Sequence, residues 1–214
     1  MEMPPLPADP VVQQQLLQCA TAEEYTLQAA RSAAITESST RANMLLMSIS
    51  GVLIALGFVG QASQLGATFH ILAGVLFACL VLLGLATFIR VLESGIEESI
   101  CVRGLNRIRR LYVGVTPAIA PYLVLGPSDD IAAIDRTIAV VTGRHEIFVT
   151  TAGTVAAVTG ICAGVAVAVA INAAGGGVLG SLLAGGAAAV LLIVVLMMMQ
   201  LRAWRSAAWR DHDG

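Results

Sequence analysis

Glu93 and Glu97 stand four residues apart, so on a helix their carboxylates share a face and together attract cations. Further along, Arg103, Arg107 and Arg110 share a face in the same way, and Arg109 adds a fourth guanidinium. Such a cluster suits the phosphate of an anionic lipid or a nucleotide. Ser48, Ser50, Thr151 and Thr154 place hydroxyls in apolar surroundings. They read either as a mildly polar pore lining or as side chains bonded back to a carbonyl one turn earlier. Asp129 and Asp130 follow Ser128 and read as a capped helix start rather than as metal ligands. Arg144-His145-Glu146 holds acid–base groups but no nucleophile. Cys19, Cys79, Cys101 and Cys162 form no C-x-x-C pair, so they read as small packing residues, not as a zinc site or a disulfide framework. G-x-S-x-G, H-E-x-x-H and phosphate-loop motifs are all missing from the sequence. The expectation is therefore a protein that is not an enzyme, without catalytic, cofactor or metal residues.

The elements that must position these groups follow from charge. Of 214 residues, 57% are hydrophobic and 12% charged, about half the charge of an ordinary soluble domain. Mean hydropathy is +0.83. Residues 42–89 and 147–201 carry no Asp, Glu, Lys or Arg, over runs of 48 and 55 residues. A soluble globular enzyme, a disordered chain and a nucleic-acid-binding protein are excluded by this pattern. A helix needs about 20 apolar residues to cross a hydrocarbon core of about 30 Å, so each run predicts two spans joined by a tight turn. The spans are placed at 43–60, 67–89, 147–171 and 178–201, with turns at Gly60–Gly66 and Asn172–Gly177. The fold class is thus all-α, an integral membrane protein with four transmembrane helices in two tight hairpins plus cytoplasmic amphipathic helices.

There is no Lys, and all 12 Arg lie outside the two runs and their turns. By the positive-inside rule this predicts a plasma-membrane protein with both termini and segment 90–146 in the cytoplasm. The organisation reads as leader and helix 1–41, first hairpin 42–89, cytoplasmic helical segment 90–146, second hairpin 147–201 and tail 202–214. The leader has neither the basic nor the apolar region of a cleavable signal peptide. Pro10–Arg41 predicts a helix with a thin apolar stripe, suited to a partner helix and free to run into the first span. The second span is expected to continue through Arg90–Tyr112, until Pro117 and Pro121 end it, followed by a short loop. A third cytoplasmic helix is expected from Ser128.

Small residues recur at spacing four in the second hairpin: Ala156, Gly160, Gly164 and Ala168, then Gly180, Ala184 and Ala188. Such faces let helix backbones approach closely, either between the two spans or between subunits. Gly153, Gly185 and Ala189 supply a second small face. The spans hold no buried ionisable group, which argues against coupled transport, and His70 falls at the outer end of the second span.

The stretch Arg90–Asp130, with Arg103-Gly104-Leu105-Asn106-Arg107-Ile108-Arg109, Tyr112, Pro117, Pro121-Tyr122 and Asp129-Asp130, resembles a block in uncharacterised multi-pass membrane proteins of high-GC actinobacteria. The plan of the first half, a cytoplasmic helix, two close spans and a cytoplasmic helix, is similar to that of SLATT proteins. That resemblance implies a membrane effector of bacterial conflict systems that forms pores; four spans in place of two is a departure. The expected function is an oligomeric membrane channel or pore-type effector, responsive through its cytoplasmic helices. Glu93 and Glu97 would form its vestibule, and the bilayer, further copies and a cytoplasmic protein or nucleotide ligand would be its partners. The alternative is a non-conducting scaffold or regulatory subunit that docks a cytoplasmic partner.

Overall fold

A computed structural model describes residues 7, 9–64, 66–123 and 150–209, the last five as backbone. Every element among them is helical, and they include no strand. α1 runs Pro10–Ser63, α2 Ala67–Val115, α3 Thr151–Ala173 and α4 Val178–Trp209, with a 3-10 helix at Pro117–Tyr122. All four α-helices are long and apolar enough to cross a membrane.

The helix ends follow from local chemistry. The Asp9 carboxylate accepts from Val11 N–H at 2.9 Å, and Pro10 starts α1 where an N–H is not needed. Nothing interrupts α1 between Ser38 and Asn43, so the leader helix runs into the first apolar run as its sequence predicts. α1 persists to Ser63 and α2 begins at Ala67, so fewer residues separate the two helices than the expected turn Gly60–Gly66. Gln64 takes the left-handed conformation at φ 49°, and Gly66 N–H donates to Ser63 O at 2.9 Å.

α2 continues through Arg90 and stops just before Pro117, whose ring has no N–H and forces Thr116 into an extended conformation (φ −136°, ψ 84°). In place of a plain loop, a 3-10 helix carries the chain past Pro121. The third cytoplasmic helix expected from Ser128, with Asp129, Asp130 and Arg144-His145-Glu146, lies outside the described residues, as does the predicted span start at 147–149. α3 is capped by Thr150, whose side-chain oxygen accepts from Gly153 N–H at 3.1 Å. It ends in a Schellman motif: Gly175 sits at φ 86°, Gly176 N–H donates to Ile171 O at 2.9 Å, and Gly175 N–H donates to Asn172 O at 3.1 Å.

The chain divides into two compact units, with the boundaries inside α1 and α2 at 36/37 and 93/94. In the first unit, the N-terminal part of α1 packs on the C-terminal part of α2. Leu27 lies against Gly104, where a Cβ would come within 2.8 Å of Leu27 Cδ1. Arg31 meets Glu98, and Glu24 meets Tyr112, so contacts step up one helix as they step down the other. Ala34, Cys101, Val102 and Leu105 are buried apolar residues there, among the described residues. The partner helix that the thin stripe of Pro10–Arg41 required is therefore α2.

The second unit, residues 37–93 together with the described residues from Thr150, has two apolar clusters. Leu45, Phe88, Val91, Val155, Ala156 and Leu196 form one. Leu56, Ala73, Phe77, Leu80 and Cys162 form the other. Between α3 and α4 the backbones come together at glycine: a Cβ on Gly164 would stand 2.6 Å from Gly185 O and 2.7 Å from Ala189 Cβ. Close backbone approach of this kind gives packing that does not depend on water being expelled.

Candidate functional site

The first unit carries a polar seam across its helix pair. Arg31 Nε and Nη2 both lie 3.1 Å from Glu98 Oε1. The pair is partly buried, so water screens it less than an ordinary surface pair. Next along the seam, Tyr112 Oη donates to Glu24 Oε2 at 3.0 Å and lies 3.3 Å from Thr21 Oγ1. Burial raises the Tyr112 phenol above its usual pKa; the Thr21 bond opposes it, and the Glu24 carboxylate reinforces it. Cys101 is buried beside this seam. Burial first, then the Glu97 and Glu98 carboxylates, push its thiol up, while Arg31 pulls the other way. The thiol is therefore held protonated and unreactive at neutral pH.

Of the expected vestibule acids, Glu93 is exposed and pairs with Arg90 on its own helix at 2.9 Å. Glu97 is also exposed. The acid of α2 that meets α1 is Glu98, which sequence spacing did not single out. Arg107 is exposed; Arg103, Arg109 and Arg110 are half-buried, and Arg109 Nη1 donates to Asn106 Oδ1 at 2.8 Å. Asn106 itself is 1% exposed, a buried amide inside the Arg cluster.

The expected lining hydroxyls divide. Ser48 Oγ donates to Met44 O at 2.8 Å and Ser50 Oγ to Leu46 O at 3.0 Å, the back-bonded state. Ser50, Thr151 and Thr154 are exposed, and Ser48 is half-buried. Thr159, by contrast, is 1% exposed, donates to Val155 O at 2.7 Å and sits against Gly84 of α2.

Among the expected packing residues, Gly160 and Gly164 do face α4. They meet Ala189, Ile193 and Gly185 there, whereas a Cβ on Gly180 would have nothing within 4 Å and Ala184 is half-buried. The contact on α4 thus falls on the second small face, that of Gly185 and Ala189.

Three further features lay outside the sequence reading. Gln200, 4% exposed, donates through Nε2 to Thr150 Oγ1 at 3.1 Å and ties α4 to the cap of α3. His70 Nδ1 lies 3.0 Å from Gly66 O, and Asn172 Nδ2 lies 3.2 Å from His70 Nε2. A carbonyl only accepts, so Nδ1 carries the proton and Nε2 accepts from the amide. An open groove of about 530 Å³ runs among Leu53, Gly57, Gln61, Phe69, Phe77 and Val169, apolar except at Gln61. Among the described residues no group of three His, Cys, Asp or Glu side chains is placed to hold a metal ion. Compared with protein-family models, curated proteins and solved structures, the chain matches none.

Proposed function

We propose that the protein is an oligomeric membrane channel or pore-type effector of the plasma membrane, with both termini cytoplasmic. The observation that carries this reading is how little of α1 the chain itself covers. Only 11% of its most apolar stretch is buried, against 33% for α2 and for α3. A helix so poorly covered leaves most of its surface to lipid or to further copies. The Arg-free reversals and Arg-bearing outer segments support the orientation. The exposed Glu93 and Glu97 suit a cation-attracting mouth, and Arg107 with its neighbours suits an anionic lipid or nucleotide that biases opening.

Mass measurement in lipid nanodiscs, followed by conductance in reconstituted bilayers, tests the reading. The expected result is a multimer that conducts, with cation preference reduced in Glu93→Gln/Glu97→Gln. A strict monomer overturns it, because four helices with packed small-residue contacts enclose no conduit.

A second reading, a non-conducting scaffold or regulatory subunit docking a cytoplasmic protein, is favoured by Tyr25 and Ile100, which are 70% and 58% exposed in the first unit. It requires silent bilayers despite verified incorporation of the protein.

A further inference from the structure

The uncovered side of α1 is ordered. Asn43, Met47, Ser50, Ile54, Gly57 and Gln61 are all exposed, and they recur at alternating intervals of four and three residues. At about 100° per residue the six fall within an arc of about 80°, opposite the face that buries Leu45 and Leu56. Alternating four and three follows one face of a helix, and a face of this spacing can pack along a like helix. Asn43 and Gln61 close the stripe at the two ends of the span, and their amides have no hydrogen-bond partner among the described residues. An amide both donates and accepts, so each is suited to its own counterpart on a second copy.

The two flanks of the stripe differ, and they complement each other. On one flank Phe58 projects, 70% exposed. On the other flank, at the same level of the helix, the groove opens between Leu53 and Gly57 of α1 and Val169 of α3. A projecting ring on one flank and an apolar groove on the other make a head-to-tail contact, and such contacts close into rings when the rotation permits.

We propose that copies of this chain close into a ring through α1, with Phe58 of each copy seated in the groove of the next and the Asn43–Gln61 stripe turned to the axis. Asn43, Ser50 and Gln61 then form polar rings, and Met47 and Ile54 form the apolar constrictions between them. The proposal rests on the oligomeric reading above and names its interface.

Disulfide trapping tests it. In full-length chain with the two exposed cysteines removed (Cys19→Ala, Cys79→Ala), Phe58→Cys and Val169→Cys are introduced together and oxidised in membranes. The expected result is a ladder of cross-linked species that ends at one closed size, absent from either single variant. It is also absent when Val169→Cys is replaced by Val190→Cys, at an exposed position on α4. In the otherwise unaltered chain, Phe58→Ala is expected to lose the multimer mass in nanodiscs, and Phe58→Trp to retain it. A multimer that conducts but gives no ladder, and survives Phe58→Ala, overturns the interface while the channel reading stands. A ladder from a protein that never conducts upholds the interface and removes the channel reading. A monomer with lipid in the groove overturns both.

Discussion

Gly84 and Thr159 interlock. A Cβ on Gly84 would lie 2.8 Å from Thr159 Cγ2 and closer still to its Oγ1, whose hydroxyl is already bonded to Val155 O at 2.7 Å. The threonine fills the space a larger residue at 84 would need, and its one polar group is satisfied inside its own helix. Gly84→Ala is therefore expected to destabilise the second unit by about 1–3 kcal/mol, the usual cost of overpacking. Thr159→Ala in the same chain should recover part of that loss, since only the Thr159 Cβ then remains in contact, at 3.0 Å. Detergent-titrated unfolding of the two single variants and the double variant measures the coupling; strictly additive losses would show that the two residues do not share this space.

Gly164 and Gly180 offer a paired comparison. At 164 a new methyl meets the backbone carbonyl of Gly185 at 2.6 Å, and backbone cannot swing aside, so Gly164→Ala should separate α3 from α4 and cost about 1–3 kcal/mol. At 180 the methyl meets open space, so Gly180→Ala should be neutral or stabilise by up to about 1 kcal/mol through helix propensity. Thermal unfolding of both variants in one detergent gives the contrast.

Tyr112 predicts an alkaline dependence in the first unit. Burial and Glu24 hold its folded-state pKa above the ordinary value of 10.0, so the folded chain keeps a proton that the unfolded chain gives up. The stabilisation is complete below about pH 10 and is lost as pH rises from there through the folded-state pKa. Tyr112→Phe should remove this alkaline loss, and at neutral pH it should cost about 1 kcal/mol for the bond to Glu24. Hydrogen exchange of the first-unit helices, followed from pH 7 upward, reads both effects.

The cysteines provide a chemical check on the same unit. Cys19 is exposed, whereas Cys101 is buried with its thiol held protonated, so a soluble maleimide at neutral pH should label Cys19 at least tenfold faster than Cys101. Glu97→Gln removes one of the charges that raise the Cys101 thiol and should lower its pKa, though only in part, because burial is the larger cause. Peptide-level mass spectrometry across a pH series measures both; an unchanged Cys101 profile would remove Glu97 from its surroundings.

What the sequence alone determined follows from rules that act within one segment. The 48- and 55-residue uncharged runs required helices, since only a helix satisfies its own backbone over such lengths of apolar residues. Pro117 had to end α2, a turn was due within Asn172–Gly177, and Ser48 and Ser50 had a carbonyl one turn away to bond. The tertiary structure decided what depends on register between helices. Spacing of four puts Glu93 and Glu97 on one face, but Arg31 meets Glu98, because the contact is set by how α1 lies against α2. The sequence offered two small faces on α4, and Gly164 selects Gly185 over Gly180, because Ile193 and Ala189 fix which side of α4 can come close. The stripe from Asn43 to Gln61 was invisible for the same reason. A polar residue on an apolar helix stands out only once the opposite face, Leu45 and Leu56, is seen to be buried.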